Sequence, residues 1–229
     1  MTRKRIRLWD LPTRLFHWLL VLAVIGAIVT GQLGGKLIDW HGRLGLFIVG
    51  LLVFRLVWGL CGSTYARFGQ FFPTPGRLVA YLKGEWRGHG HNPLGALSVF
   101  GLIALLALQV ASGLFANDDI AFVGPLYELI GKDLSDRLTG IHHLLSTFLF
   151  ILIGMHLAAI IFYHRVRRQN LLTPMLTGWK DADHGEHAKG GGLLALLFAL
   201  ALALGAIYGA SGVWLPEPPP APVGETPAW

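Results

Sequence analysis

Apolar residues in this chain neither alternate nor keep to one face of a helix; they come in long unbroken runs. Five runs fall at roughly 15–32, 42–61, 94–116, 140–163 and 193–215. Each is close to the ~20 residues that a helix needs to cross the hydrocarbon of a bilayer. A helix satisfies its own backbone in lipid, so the runs predict transmembrane helices and an all-α membrane protein. Five crossings put the termini on opposite sides. Trp9, Pro12, Phe16 and Trp18 suit an interfacial lead-in and an aromatic anchor for the first span.

The polar residues between the runs orient them. Arg3, Lys4, Arg5 and Arg7 precede the first span; Arg67, Arg77, Lys83 and Arg87 lie between the second and third; Arg165, Arg167, Arg168, Lys180 and Lys189 follow the fourth. Basic residues favour the inner side, so the N-terminus and these loops are expected in the cytoplasm. The segment 117–139 carries Asp118, Asp119, Glu128, Asp133 and Asp136 against Lys132 and Arg137, and reads as outer, as does the first connection with Lys36 and Asp39. The basic N-terminal residues imitate a secretory signal, but no A-x-A cleavage site follows the first run.

Gly190, Gly191 and Gly192 read as a flexible cytoplasmic joint within a linker over 181–192. The fifth run, 193–215, is Ala/Leu-rich without an ionisable residue, and is expected as an anchor set apart from a four-helix core over 1–180. Residues 216–229, rich in proline, read as a disordered tail on the outer, periplasmic side. There is no internal repeat.

Composition agrees with the bilayer as solvent. Of the 229 residues 53% are hydrophobic and 14% charged, against about a quarter charged in soluble domains. The net charge of +6 lies in short clusters beside apolar runs, without interleaved aromatics, which argues against nucleic acid as a partner. A single cysteine, Cys61, excludes an internal disulfide, a four-cysteine iron–sulfur site and a C-x-x-C-H attachment for covalent haem.

The chemistry lies in the histidines. Of ten, His17, His41, His142 and His156 fall within spans at depths where a polar group needs a partner. His17 and His156 belong to the inner half, His41 and His142 to the outer. His142 and His156 are fourteen residues apart, which turns them by only about 40° and separates them by roughly 21 Å along a helix. They share a face but not a site. A chelated ion would want an i, i+4 pair, so the spacing favours two stacked cofactors, each with a second ligand from another helix. Levels pair His17 with His156 and His41 with His142. Two imidazoles on one haem iron leave no open position, which favours electron transfer. His143 competes with His142 but points about 140° away from His156.

Arg55 follows His41 by fourteen residues and needs an anion at that depth; a haem propionate would serve, and Arg43 would serve the outer haem likewise, unless either snorkels to headgroups. Gly26, Gly31, Gly42, Gly45, Gly50, Gly101 and Gly113 would let a porphyrin or a neighbouring helix approach. His89 and His91 in RGHGHNP, and His184 and His187 in DADHGEH, read as solvated loop histidines with metal binding or proton relay as the alternative.

Several segments are similar to one known family. WDLPTRLFHWLLVLAV, HGRLGLFIVGLLVFRLVWGLCGSTYARF, HNPLGALSVFGLIALLALQVASGLF and IHHLLSTFLFILIGMHLAAIIFYHRVRRQNLLTPMLTGWK, in that order over about residues 8–180, resemble the bacterial cytochrome b561 group, which includes the cytochrome b subunit of nickel–iron hydrogenases. The resemblance implies a four-helix di-haem bundle holding two haem b groups, with axial ligands at His17, His41, His142 and His156. It implies exchange of electrons between the quinone pool and a periplasmic c-type cytochrome or hydrogenase-like enzyme, in the bacterial inner membrane. Many relatives have glutamate where this chain has His143. The joint, fifth span and tail lie outside the resemblance and, by position, would dock a periplasmic partner or tether a neighbouring subunit.

Competing functions are a superoxide:quinone oxidoreductase, which an outer basic patch would favour, a haem-free proton or solute transporter using the same histidines, and a membrane anchor subunit. The acidic outer loops favour a basic protein partner. A homo-oligomer is compatible with the sequence.

Overall fold

The computed structural model describes residues 4–88, 90–120, 122–182 and 185–216. In chain order its elements are β1 (Lys4–Arg7), α1 (Leu11–Leu33), α2 (Ile38–Cys61), α3 (Phe68–Phe71), α4 (Pro75–Leu82), α5 (Pro93–Gly113), α6 (Lys132–Arg165), α7 (Leu172–Thr177), β2 (Trp179–Ala182) and α8 (Leu193–Ala210). Five of the helices, α1, α2, α5, α6 and α8, are long and apolar enough to cross a membrane.

Local chemistry sets their ends. Asp10 caps α1 by accepting from the Thr13 amide at 2.7 Å, with Pro12 in the first turn, where its missing N–H costs nothing. Asn92 does the same for α5, accepting from the Gly95 amide at 2.8 Å ahead of Pro93. Gly34, at φ +60°, closes α1, and one 3-10 turn leads into α2, so these two helices form a tight antiparallel hairpin. α6 starts at Lys132, eight residues before the apolar run from 140, because its first turns are polar and face the outer segment. There Ser135 is fully buried, accepting from Asn117 Nδ2 at 2.7 Å and donating to the Phe115 carbonyl at 2.6 Å.

α2 is the central helix, touching α1, α5 and α8, while α5 pairs with α6. The core runs through Phe16, Val24, Ile48, Leu52, Leu106 and Leu149, whereas Leu22, Leu60, Ile161 and Leu194 face outward. In lipid that outward apolar surface is the stable arrangement.

Two expectations about the C-terminal part are corrected. The fifth helix is not set apart: α8 lies along α2 with Ala199 and Ala203 buried, and Ile207 sits so close over Gly50 that a Cβ there would be 2.5 Å from its Cδ1. Small residues at i, i+4 permit this approach, and hydropathy alone is blind to them.

Nor is the glycine run a free joint. β2 pairs antiparallel with β1, from Lys4 with Ala182 to Arg7 with Trp179, burying Ile6 completely. Further on, the Thr64 amide donates to the Lys189 carbonyl at 2.8 Å and Gly190 bridges Ser63. Together β1, β2 and residues 185–192 form a clasp across one end of the bundle. Gly190 (φ +88°) and Gly191 (φ +67°) take left-handed conformations, and a Cβ on Gly191 would lie 2.8 Å from both Trp58 Cζ2 and Ser63 N. Gly191→Ala is therefore expected to cost about 1–3 kcal/mol, read as a lower unfolding temperature in detergent. Gly192→Ala, whose Cβ meets nothing within 4 Å, should leave it unchanged. The proline-rich tail from residue 217, His89 and His184 lie outside the described residues.

Candidate functional site

Four helices, α1, α2, α5 and α6, enclose a cavity at the end opposite the clasp, and His41 and His142 project into it. Their ring centroids are 5.9 Å apart. His41 Nδ1–H donates to the Ala27 carbonyl of α1 at 2.8 Å, and His142 Nδ1–H donates to the Gln109 carbonyl of α5 at 2.9 Å. A carbonyl only accepts, so each Nδ1 carries the proton and each Nε2 keeps its lone pair for a metal. At His142 that lone pair is met in this structure by the Gln109 side-chain amide, which donates to Nε2 at 3.1 Å and would have to turn aside for a metal.

His143 lines the same cavity but is exposed, its ring 6.4 Å from that of His142. The structure thus brings His142 opposite His41. Arg43 does not join them: it is exposed and lies over the ring of Trp40, three residues back on the same helix, at 5.1 Å.

The second level is near the clasp. His17 lies on α1 and His156 on α6, each towards the clasp end of its helix. His156 Nδ1 meets Ser98 Oγ at 3.3 Å, while the buried His17 Nδ1 has no hydrogen-bond partner among the described residues. Arg55, only 3% exposed, lies over Phe68 at 4.3 Å with its Nη1 buried and likewise unpartnered. A buried guanidinium with a spare donor suits an anionic group such as a propionate. Along α2 and α6 the two levels are fourteen residues, roughly 21 Å, apart.

Some of this was not anticipated. His91 is not a solvated loop residue: it is wedged between Trp9 (4.6 Å) and Phe71 (4.5 Å), its Nδ1 buried without a partner. Burial, then the charges of Arg55, His17 and His156, push its pKa down to about 3. His187 accepts from the Arg7 amide at 2.9 Å within the clasp. Asp10, beyond capping α1, accepts from Trp58 Nε1 at 2.9 Å and so ties α1 to α2 below His17. The dipeptide before Pro12 signals such a cap, but nothing in the sequence signals Trp58 as its partner.

These donors fit haem b. The His41 and His142 rings lie 5.9 Å apart on facing helices, so the two side chains would hold one haem between them. Glycines stand where a Cβ would block them: a Cβ on Gly31 would lie 2.8 Å from His41 Nδ1, and one on Gly113 2.8 Å from His142 Cε1. Among the described residues no group of three metal-binding side chains gathers as a chelated ion would require.

Comparison with known proteins agrees. The family model described as prokaryotic cytochrome b561 matches residues 8–178. This chain belongs to that family. The cytochrome is 25% identical over 222 residues to a probable Ni/Fe-hydrogenase B-type cytochrome subunit of Azotobacter vinelandii, covering 76% of this chain and 88% of that one. It is 23% identical over 218 residues to the corresponding protein of Cupriavidus necator, covering 77% and 87%. With that of Escherichia coli K12 it shares 23% over 136 residues, or 46% and 57%. No solved structure matches. The chain is thus a multi-pass membrane b-type cytochrome of electron transfer, and its cofactor is haem b. α8 lies beyond the matched residues.

Proposed function

We propose that this cytochrome holds two haem b groups, one between His17 and His156 and one between His41 and His142, and passes electrons between a periplasmic redox protein and the quinone pool. The facing of His41 and His142, with both Nδ1 protons committed to carbonyls, is the observation that carries the reading. α6 also carries His156, fourteen residues beyond His142, and a second site shared with His17 on α1 and Arg55 on α2 is supported by that spacing. When bound, each haem supplies a one-electron ferric/ferrous couple. The protein's part is to orient the imidazoles, to supply a cation at Arg55 for a propionate, and to keep water from both irons.

The basic residues at the clasp end support a cytoplasmic position for it in a bacterial inner membrane, and on that orientation α8 would carry the chain to the periplasmic side. The far end bears Asp118, Asp119, Glu128, Asp133 and Asp136. That face favours a basic donor, such as a c-type cytochrome or the basic surface of a hydrogenase-like enzyme, over superoxide. Relatives named as hydrogenase cytochrome subunits point to the same class of partner.

The test is a reduced-minus-oxidised spectrum of the purified chain with its haem-to-protein ratio. His17→Ala and His156→Ala are expected to remove the same haem, halving the content and leaving matching residual spectra. Residual spectra that differ between these two variants would break the pairing. An intact protein without b-type bands would instead leave a haem-free transporter or anchor as the function.

A further inference from the structure

At the far end one device is used twice. His41 donates to the carbonyl of Ala27, and four residues on stands Gly31; His142 donates to the carbonyl of Gln109, and four residues on stands Gly113. In a helix the side chain at i+4 leans back over the turn that holds the carbonyl of residue i. Any residue but glycine at 31 or 113 would cover the acceptor that the imidazole needs, as the 2.8 Å distances to a hypothetical Cβ show. Each ring is thus held at its Nδ1 edge by a carbonyl and given room at that same edge by a glycine one turn further on. The two rings are set at 87° to each other. The clasp-end pair lacks this grip, with His17 Nδ1 unpartnered among the described residues and His156 Nδ1 only 3.3 Å from a serine hydroxyl that can rotate.

We propose that Gly31 and Gly113 are positioning residues that lock the axial imidazoles of the far-end haem in crossed planes, giving that haem an electronic structure distinct from the clasp-end haem. This rests on the pairing of His41 with His142 proposed above. Each imidazole donates π density into the iron d orbital perpendicular to its own ring. Parallel rings act on one orbital and split the pair that shares the unpaired spin; crossed rings act on one each and leave the pair nearly degenerate. Near-degeneracy gives ferric low-spin iron a large orbital moment, and so a highly anisotropic resonance in place of an ordinary rhombic one. Hydrogen bonding of both Nδ1 protons to carbonyls also strengthens the ligands and stabilises the ferric state.

The experiment is low-temperature electron paramagnetic resonance of the oxidised full-length protein, alongside haem-to-protein ratio and redox titration, in the unsubstituted chain and in His17→Ala, which isolates the far-end haem. A highly anisotropic low-spin signal that persists in His17→Ala is expected. Gly113→Ala and, independently, Gly31→Ala should move that signal towards the rhombic form and shift the midpoint of one haem while leaving the other in place. Gly205→Ala, whose Cβ meets nothing within 4 Å, should change neither. A rhombic far-end signal in the unsubstituted chain overturns the proposal without recourse to any variant at 31 or 113. So does an unaltered signal in alanine variants that keep both haems. A chain that holds one haem or none shows itself in the haem-to-protein ratio, and that failure belongs to the two-haem reading.

Discussion

Replacing His142 by alanine is expected to halve the haem content and to slow electron passage from a periplasmic donor to quinone by more than about 100-fold. That exceeds the 10–100-fold cost of losing a group that merely orients a metal ligand. The same loss is expected from His41→Ala, because the two side chains face each other across one cavity from α2 and α6. His143→Ala should keep both haems, since its exposed ring stands to one side of the pair. Haem-to-protein ratio and quinone reduction in vesicles are the measurements. Retention of the far-end haem by His142→Ala together with its loss from His143→Ala would reverse the assignment.

The largest expected effect on stability is at Asp10. One carboxylate oxygen caps α1, and the other accepts from the indole of Trp58, which is 1% exposed. Asp10→Ala removes a helix cap, costing about 0.5–2 kcal/mol, and leaves a buried N–H unsatisfied, costing about 1–3 kcal/mol. A loss of roughly 1.5–5 kcal/mol is therefore expected, together with weakened binding of the clasp-end haem, because Asp10 also provides the carboxylate charge felt by Arg55. Asp10→Asn should recover only the cap, since its amide turns a second donor towards the indole. A double-mutant cycle with Trp58→Phe measures the coupling; additive losses would mean that the two groups do not act together.

The chain's unbroken apolar runs made the spans legible, and histidine spacing made the candidate ligands legible. The roughly 21 Å between His142 and His156, and between His41 and Arg55, follows from their fourteen-residue spacing once the spans are recognised, and the structure keeps each pair within one helix. Where expectation and structure part, the cause is tertiary. His91 reads from its sequence neighbours as a loop residue, yet it is enclosed by Trp9 and Phe71, which come from other parts of the chain. The glycine run looked flexible because composition records conformational freedom; the structure uses that freedom to make the left-handed turns that pin residues 189–191 against Ser63 and Trp58.

The sequence by itself determined that this is a helical membrane protein with five spans and histidines at two depths, because lipid allows few backbone solutions and helix geometry converts residue spacing into depth and direction. Only the tertiary structure decided that His142 rather than His143 stands opposite His41, which carbonyls the two Nδ1 atoms meet, and that α8 and the clasp belong to the bundle. Those outcomes depend on rotations about helix axes and on close approaches at glycine and alanine, which are set by packing between helices and leave no period in the chain.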